Sequence, residues 1–334
     1  MAEEIVEKKK APFSWVRVFS VTGAVLLVLL VVAVWRVQPK LAFNPAPKLI
    51  ATPAIYDLKF EDVRVEKNGL SVAGWLVHTD KESRGTVLFC HSSSGNRSYE
   101  LDTALFFTKA GFDVLLFDYP GFADSSGVLS ERNCYRSAEL MLNYLEAQNL
   151  RVPLLVYGRA RGAAVATQLA AKRSPDMLML EGAYPSWPEQ ASDQMGAARH
   201  LILWRFPTFE FLQKVTVPVL FVHSAYDREV PMELGRRVYA AYQGPKEFFE
   251  TGGLHGEAMT VCAPAYQEAL LAFLKGVEVG GRGECGSVGV VECGNNGVGV
   301  TEDRGQRLAT KNTKSHEAGR RGRDCESWDV ECGM

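Results

Sequence analysis

Leu154-Leu155-Val156-Tyr157-Gly158-Arg159-Ala160-Arg161-Gly162-Ala163-Ala164-Val165-Ala166 decides the fold. A short apolar run ends in a five-residue turn with glycine at both ends, and small residues suited to a helix follow. An unbroken apolar run of that kind fits a strand covered on both faces. Similar runs recur at 86–90, 114–117, 177–180 and 219–222, with helical stretches at 99–109, 130–148 and 162–172. Strand and helix alternating in this way predict an α/β fold, a mostly parallel sheet with helices on both faces. Ahead of it, 58–65 and 70–77 alternate in polarity around Lys67-Asn68-Gly69. Asn-Gly between two such runs predicts a leading antiparallel hairpin.

Outside this region the composition changes. Arg17 and Arg36 enclose an uncharged run, 18–35, rich in Val, Leu and Ala. As a helix it reaches about 27 Å, close to the hydrocarbon thickness of a bilayer. It is apolar on every side, unlike an amphipathic core helix, and it lacks the short apolar core and small-x-small site of a cleaved signal peptide. The expectation is one transmembrane anchor over 18–36, after a polar segment 1–17 and before a proline-punctuated linker 37–57. Lys8, Lys9, Lys10 and Arg17 precede the run, and Arg36, Lys40 and Lys48 follow it. Four against three is a small bias toward a cytoplasmic N-terminus, with the bulk of the chain on the extracytoplasmic side. Residues 276–334 hold 13 of the 30 glycines and four of the seven cysteines, without apolar periodicity. Cys285, Cys293, Cys325 and Cys332 lack the paired Cys-x-x-Cys spacing of a metal site. The composition predicts a disordered tail, a frame-shifted end being the alternative. What remains, 58–275, is one domain with room for a core.

The 334 residues carry a net charge of −2, 47% hydrophobic and 23% charged, which are globular values. Without a basic surplus, nucleic acid is not an expected partner. No phosphate loop, dinucleotide fingerprint or metal cluster is present, so no cofactor is expected. An odd number of cysteines cannot all pair; Cys90, in an apolar run, reads as a buried thiol.

Ligands of such sheets bind at the carboxyl ends of the strands, so the residues just after each run matter most. Gly158-Arg159-Ala160-Arg161-Gly162 is the frame of a nucleophile elbow, Gly-x-Ser-x-Gly, in which the central side chain stands at a helix N-terminus. Here it is Ala160, with no nucleophilic atom; an ordinary strand-to-helix turn is the plainer reading. Asp227 follows a late strand, where an acid orients and stabilises an imidazolium, or else serves as an N-cap ahead of Pro231. His255 stands on Gly252-Gly253-Leu254-His255, between a last strand at Phe248-Phe249-Glu250 and a helix from Pro264. The order nucleophile position, acid, histidine is that of a Ser-Asp-His hydrolase. Cys90-His91-Ser92-Ser93-Ser94-Gly95-Asn96 follows the 86–90 run and can aim a backbone amide at a substrate oxygen, the second donor being Arg161. Ser92, Ser93 and Ser94 read first as turn formers rather than as a relocated nucleophile.

On these residues the domain resembles the α/β-hydrolase superfamily, in its membrane-anchored serine-hydrolase branch with a serine aminopeptidase/lipase-like domain. Carrying the resemblance are His91 through Asn96, with Ser92 where glycine is usual, and Leu115-Leu116-Phe117-Asp118-Tyr119-Pro120-Gly121-Phe122, with Pro120 in place of a common arginine. Asp124-Ser125-Ser126-Gly127, Tyr157-Gly158-Arg159, Leu180-Glu181-Gly182, Asp227 with Val230-Pro231, and Gly253-Leu254-His255 complete it. The resemblance implies Asp227 as triad acid, His255 as base, and Ser93 and Arg161 as oxyanion-hole amides. It puts Ala160 on the serine position, and a short lid at about 184–214, with Trp187, Trp204 and Pro207. It also implies hydrolysis of carboxylic esters or lipid acyl groups, with a small acyl-type ligand and the bilayer, through 18–35, as partners. Without the hydroxyl no acyl-enzyme forms. The expectation is therefore an inactive or strongly attenuated hydrolase, natural or changed from Ser to Ala. The alternatives are a pseudohydrolase that binds a ligand or partner, slow hydrolysis by a water activated at His255, or a structural role.

Overall fold

The computed structural model describes residues 15–148, 153–280, 290–294 and 297–301. Helix α1 (Trp15–Ala42) leads into the short strand β1 (Asn44–Pro45) and the hairpin β2 (Phe60–Lys67) and β3 (Leu70–Val77). Asn68 and Gly69 take positive φ of 51° and 75°, the turn that matches the twist of two antiparallel strands. There follow β4 (Thr86–Cys90), the two-residue β5 (Ser94–Gly95), α2 (Leu101–Ala110), β6 (Asp113–Phe117) and α3 (Glu131–Ala147). Next come β7 (Leu154–Arg159), α4 (Arg161–Arg173), β8 (Met177–Glu181), the short helices α5 (Trp187–Gln190), α6 (Ser192–Met195) and α7 (Thr208–Leu212), and β9 (Val219–Ser224). The chain continues through α8 (Met232–Ala241), β10 (Lys246–Thr251), α9 (Ala258–Val261), α10 (Ala263–Gly280), β11 (Val290–Gly294) and β12 (Gly297–Thr301).

Ten strands make one sheet in the order β12-β11-β10-β9-β8-β7-β4-β6-β3-β2. From β6 to β11 every neighbour is parallel; β2, β3 and β12 join antiparallel. The apolar runs serve both faces by simple alternation. Leu88, Val156, Leu178, Leu180 and Phe221 enter one core with α3, α4 and α8. Val87, Phe89, Leu155, Met179 and Val222 enter a second core with α2 and α10. Runs of this kind are continuous in sequence because each residue has a helix to meet on its own side. The chain leaves β4 toward β6 and returns on its other side as β7, so the loops after β4 and β7 diverge at the switch point.

Three boundaries differ from expectation. Helix α1 runs to Ala42 rather than ending at Arg36, and the start of the presumed linker is built into the domain. Gln38, Ala42 and Phe43 are buried. The Phe43 ring meets Phe122 at 5.7 Å, Phe206 at 5.8 Å, Tyr119 at 6.2 Å and Trp204 at 6.3 Å. Asn44 and Pro45 pair with Ser94 and Gly95. Prolines suggested a spacer because they interrupt helices, but Pro39 is accommodated inside α1, and apolar partners decide the rest. The expected disordered tail also carries order at its start: α10 continues to Gly280, and β11 and β12 extend the sheet beside β10. Val290, Val291, Val298 and Val300 supply β-branched residues that the glycine count outweighed. The rest of that tail, with Cys285, Cys325 and Cys332, lies outside the described residues, as does most of the 1–17 segment.

Because Phe43 fills a ring of four aromatics, Phe43→Ala should lower the unfolding free energy by about 3–5 kcal/mol, read as a drop in denaturant midpoint of the full chain in detergent. Ile55→Ala, at a residue 65% exposed, should leave the midpoint in place.

Candidate active site

The elbow after β7 is fixed by two close approaches. A Cβ at Gly158 would lie 2.4 Å from the Gly162 carbonyl oxygen and 2.7 Å from Ala166 Cβ. A Cβ at Gly162 would lie 2.0 Å from the Cys90 carbonyl oxygen and 2.5 Å from that of His91. Only glycine permits strand, turn and helix to pack this tightly. Between them Ala160 takes φ 50° and ψ −113°, a conformation that costs a non-glycine residue on the order of 1–3 kcal/mol. Its amide donates to the Glu181 carbonyl at 2.8 Å. Ala160 is therefore held in a sharp, strained turn at the N-terminus of α4.

Behind the elbow lies a buried ion network. Arg159 Nη1 donates to Glu100 Oε2 at 2.7 Å, and its Nε stands 3.3 Å from Glu181 Oε1. The Tyr157 and Tyr266 hydroxyls both donate to Glu181 Oε2, the latter at 3.0 Å. Two buried carboxylates thus share one guanidinium, and both tyrosine hydroxyls converge on the same oxygen of Glu181. In the sequence Tyr157, Arg159 and Glu181 stand in motifs, with nothing local to show that they meet.

Asp227 and His255 meet across two loops. His255 Nδ1 lies 2.6 Å from Asp227 Oδ2. A carboxylate only accepts, so Nδ1 carries the hydrogen and Nε2 is the ring atom left to take a proton. Asp227 Oδ1 accepts from the amides of Glu229 at 2.9 Å and Val230 at 2.8 Å. The N-cap of α8 is Pro231, so Asp227 is not a helix cap. Burial favours the neutral Asp227 carboxyl, but the His255 hydrogen bond and charge and the Val230 amide outweigh it and hold its pKa below the usual range. Burial likewise favours neutral His255, yet the Asp227 hydrogen bond and charge raise its pKa. His223, which had no assigned role, is buried behind the acid: its Nε2 faces the Val230 carbonyl at 2.8 Å, and Gly235 leaves room for its ring. Burial pushes its pKa down. Its signal in the sequence was only a histidine at the end of an apolar run.

A cavity of about 170 Å³ brings the residues together, lined by Ser92, Ser93, Ser94, Ala160, Arg161 and His255, with Tyr184, Gln190 and Glu229. Asp227 stands behind His255. Arg161 is the first residue of α4, where helix amides have no partner inside the helix. The Ser93 carbonyl accepts from the Asn44 amide at 2.9 Å, which pins the loop after β4 to the end of α1. His91 is fully buried there, and burial pushes its pKa down to about 4. Arg97 pairs with Asp118 and lies 4.4 Å over the Trp75 ring, so the Asp118 motif braces this loop.

The Arg161 side chain turns away from any acid: no carboxylate lies within ion-pair distance among the described residues. It donates to the Tyr184 hydroxyl at 3.2 Å and to the Ala42 carbonyl at the end of α1. Its guanidinium lies 4.5 Å over the Trp187 ring. The negative end of the helix dipole and the ring faces partner this cation.

Strand order and connections define an α/β-hydrolase fold, with Ala160, Asp227 and His255 on the turns at the carboxyl ends of its strands. Residues 85–218 match the family model of the α/β hydrolase fold. Over 256 residues the chain is 29% identical to an uncharacterized protein of Mycobacterium tuberculosis, covering 75% of this chain and 91% of that one. It is 27% identical over 189 residues to the lysophosphatidylserine lipase ABHD12 of Danio rerio and 25% identical over 191 residues to that of Mus musculus. The matches span about half the length of these lipases, 50% and 47%. An esterase of Pyrococcus furiosus superposes with a TM-score of 0.59 at 18% identity, over 70% of this chain and 98% of its own. Est1E of Butyrivibrio proteoclasticus, with ferulic acid bound, does so at 0.54 and 16%, over 64% and 99%. At these identities the structures share the fold.

Replacing Asp227 by Asn should move the His255 ring pKa from above the ordinary value of about 6.5 to below it, because burial then acts without the carboxylate. NMR titration of the ring reads this directly, and an unmoved titration would refute the pair. The raised histidine stabilises the fold at low pH and loses that contribution as pH rises through its folded pKa. The depressed carboxyl stabilises above about 3.9 and loses that as pH falls through its own. The stability gap between native chain and Asp227→Asn should therefore be widest between those limits. Separately, Gly162→Ala should cost about 3 kcal/mol or more in denaturant unfolding, since backbone oxygens stand where the methyl must go.

Proposed function

We propose that this chain is a membrane-anchored α/β-hydrolase-fold protein of the ester- and lipid acyl-cleaving kind, disarmed at residue 160. The observation that carries the reading is the His255–Asp227 pair at 2.6 Å, set in one cavity with the strained Ala160 elbow. With a hydroxyl at 160, the oxygen would attack the acyl carbonyl while His255 Nε2 takes its proton and Asp227 stabilises the imidazolium. The amides of Ser93 and Arg161 would receive the oxyanion. His255 would then protonate the departing alcohol, and a water would release the acid by the same steps reversed. With Ala160 the first bond has no oxygen to form. Loss of a triad member leaves only about 10³–10⁴-fold catalysis over water, so ordinary turnover is not expected. The lysophosphatidylserine lipases among the relatives favour a single-chain lipid ester as the substrate class.

The anchoring part rests on α1. Phe19–Ala42 has a mean hydropathy of 2.3 and is long enough to cross a bilayer, and Leu26 through Leu30 are each more than half exposed. Such a row of exposed leucine and valine needs hydrocarbon around it. The Lys and Arg bias favours a cytoplasmic N-terminus, with the hydrolase domain opposite.

A second reading is a non-catalytic module that holds a ligand in the same cavity. One observation favours it: the cavity keeps polar residues, Ser92, Ser94, Tyr184 and Gln190 among its lining, that can hold a ligand without a nucleophile.

The test is Ala160→Ser in the full chain in detergent, beside the native chain, with a fluorophosphonate probe and short and medium acyl esters. The full chain is needed because Gln38, Ala42 and Phe43 belong to the domain. Labelling and turnover by the serine form alone, at least 10³-fold above the native chain, support the disarmed hydrolase. Silence of both forms while folded sinks it in favour of the binding module. Turnover by the native chain that disappears in His255→Ala would instead assign hydrolysis to a water activated by His255.

A further inference from the structure

Where α1 meets the 184–214 segment, the two leave a crevice of about 280 Å³. Ala33, Val37 and Leu41 of α1 form one wall, and Ala198, Ile202 and Trp187 form the other. Gln38 is the one polar residue among those lining it, and its amide is already used. Its Oε1 accepts from the Leu203 and Trp204 amides, each at 2.9 Å, and its Nε2 donates to the Leu201 carbonyl at 3.3 Å. The rest of the lining is apolar, with Met195 its one thioether, so the crevice suits a hydrocarbon occupant better than water.

We propose that this crevice holds the acyl chain of a single-chain lipid taken sideways from the bilayer around α1. The proposal rests on the membrane-anchored, hydrolase-type reading above and names the substrate route of that site.

Three observations select a lipid chain as occupant. The α1 wall continues the exposed apolar belt: Val37 and Leu41 are 48% and 57% exposed, next to Trp35 at 55%. Opposite them Leu201 and Leu203 are half exposed, so both lips of the opening are hydrocarbon-compatible. The volume, about 280 Å³, falls just short of the roughly 300–1,000 Å³ of small-molecule sites, which suits one chain and not two. Trp187 joins the crevice to the chemistry: it lines the crevice, and its ring stacks at 4.5 Å on Arg161, which lines the Ala160 cavity. The stacked Trp187–Arg161 pair thus stands between crevice and cavity.

The experiment uses the native full chain in phosphatidylcholine nanodiscs. The probe is a 16-carbon lysophosphatidylserine with a photoactivatable diazirine on its chain, with a diacyl phosphatidylcholine bearing the same diazirine for comparison. Cross-linked residues are mapped by mass spectrometry. The single-chain probe is expected at 33–41 and 195–202, with labelling there reduced at least tenfold in Ala198→Trp and in Val37→Trp. Both residues are exposed, so a tryptophan is tolerated, and the two variants block the crevice from opposite walls. The diacyl probe is expected on the outer belt near Leu26 and Leu29 only. Single-chain labelling confined to that belt, or unchanged in both tryptophan variants, would overturn the proposal. Fluorophosphonate labelling of Ala160→Ser reports the hydrolase site on its own. Labelling there without crevice cross-links rejects the crevice alone, and crevice cross-links without labelling keep the crevice while rejecting the hydrolase reading.

Discussion

The contact of Gly162 with the carbonyls of Cys90 and His91 is the constraint on which the rest depends. It brings the start of α4 against the end of β4 with no room for a methyl group. Gly158 does the same between β7 and α4. Once both approaches are made, residue 160 has little conformational choice, and its positive φ follows from packing on either side. The elbow is thus a property of the surrounding backbone. The side chain at 160 therefore has little part in setting this geometry, which the backbone on either side holds in place.

Electrostatics follow the same layout. The acid and histidine stand on loops after β9 and β10, and the carboxylate ends up partnered on both oxygens, by a ring nitrogen and by two amides. Deeper in, Arg159 is shared by Glu100 and Glu181. Such buried pairs contribute little as ion pairs, because desolvation offsets the attraction, yet losing one partner strands a charge at about 3–5 kcal/mol. Their effect is to make the elbow's surroundings hard to rearrange. Arg161 differs in having a helix end and aromatic faces as partners, and it ties the turn after β7 to the end of α1.

That tie changes how the N-terminal helix is understood. An anchor followed by a spacer would let the domain move freely beside a membrane. Here the last turn of α1, Phe43 and the Asn44–Pro45 pairing are part of the core and of the loop beside Ala160. Gln38 ties the end of α1 to Leu203 and Trp204, and Arg161 ties it to Trp187 and Tyr184, so helix, 184–214 segment and elbow pack as one structure.

Much of this was legible in the residues. Unbroken apolar runs dictate strands covered on both faces, Asn68-Gly69 dictates a tight hairpin turn, and the glycines around Ala160 dictate a sharp strand-to-helix junction, because each is a local requirement of sterics or solvation. The order of Ala160, Asp227 and His255 pointed to residues that the fold brings together at one cavity. Only the tertiary structure decided which groups meet. The Arg159 network, His223 behind the acid and Phe43 in its aromatic ring join residues far apart in sequence, with no local pattern to announce them. The reach of α1 into the domain was hidden for the same reason. A helix end with prolines after it looks like a spacer until the partners that bury it are in place, and those partners, at 94–95, 119–122 and 203–206, stand far along the chain.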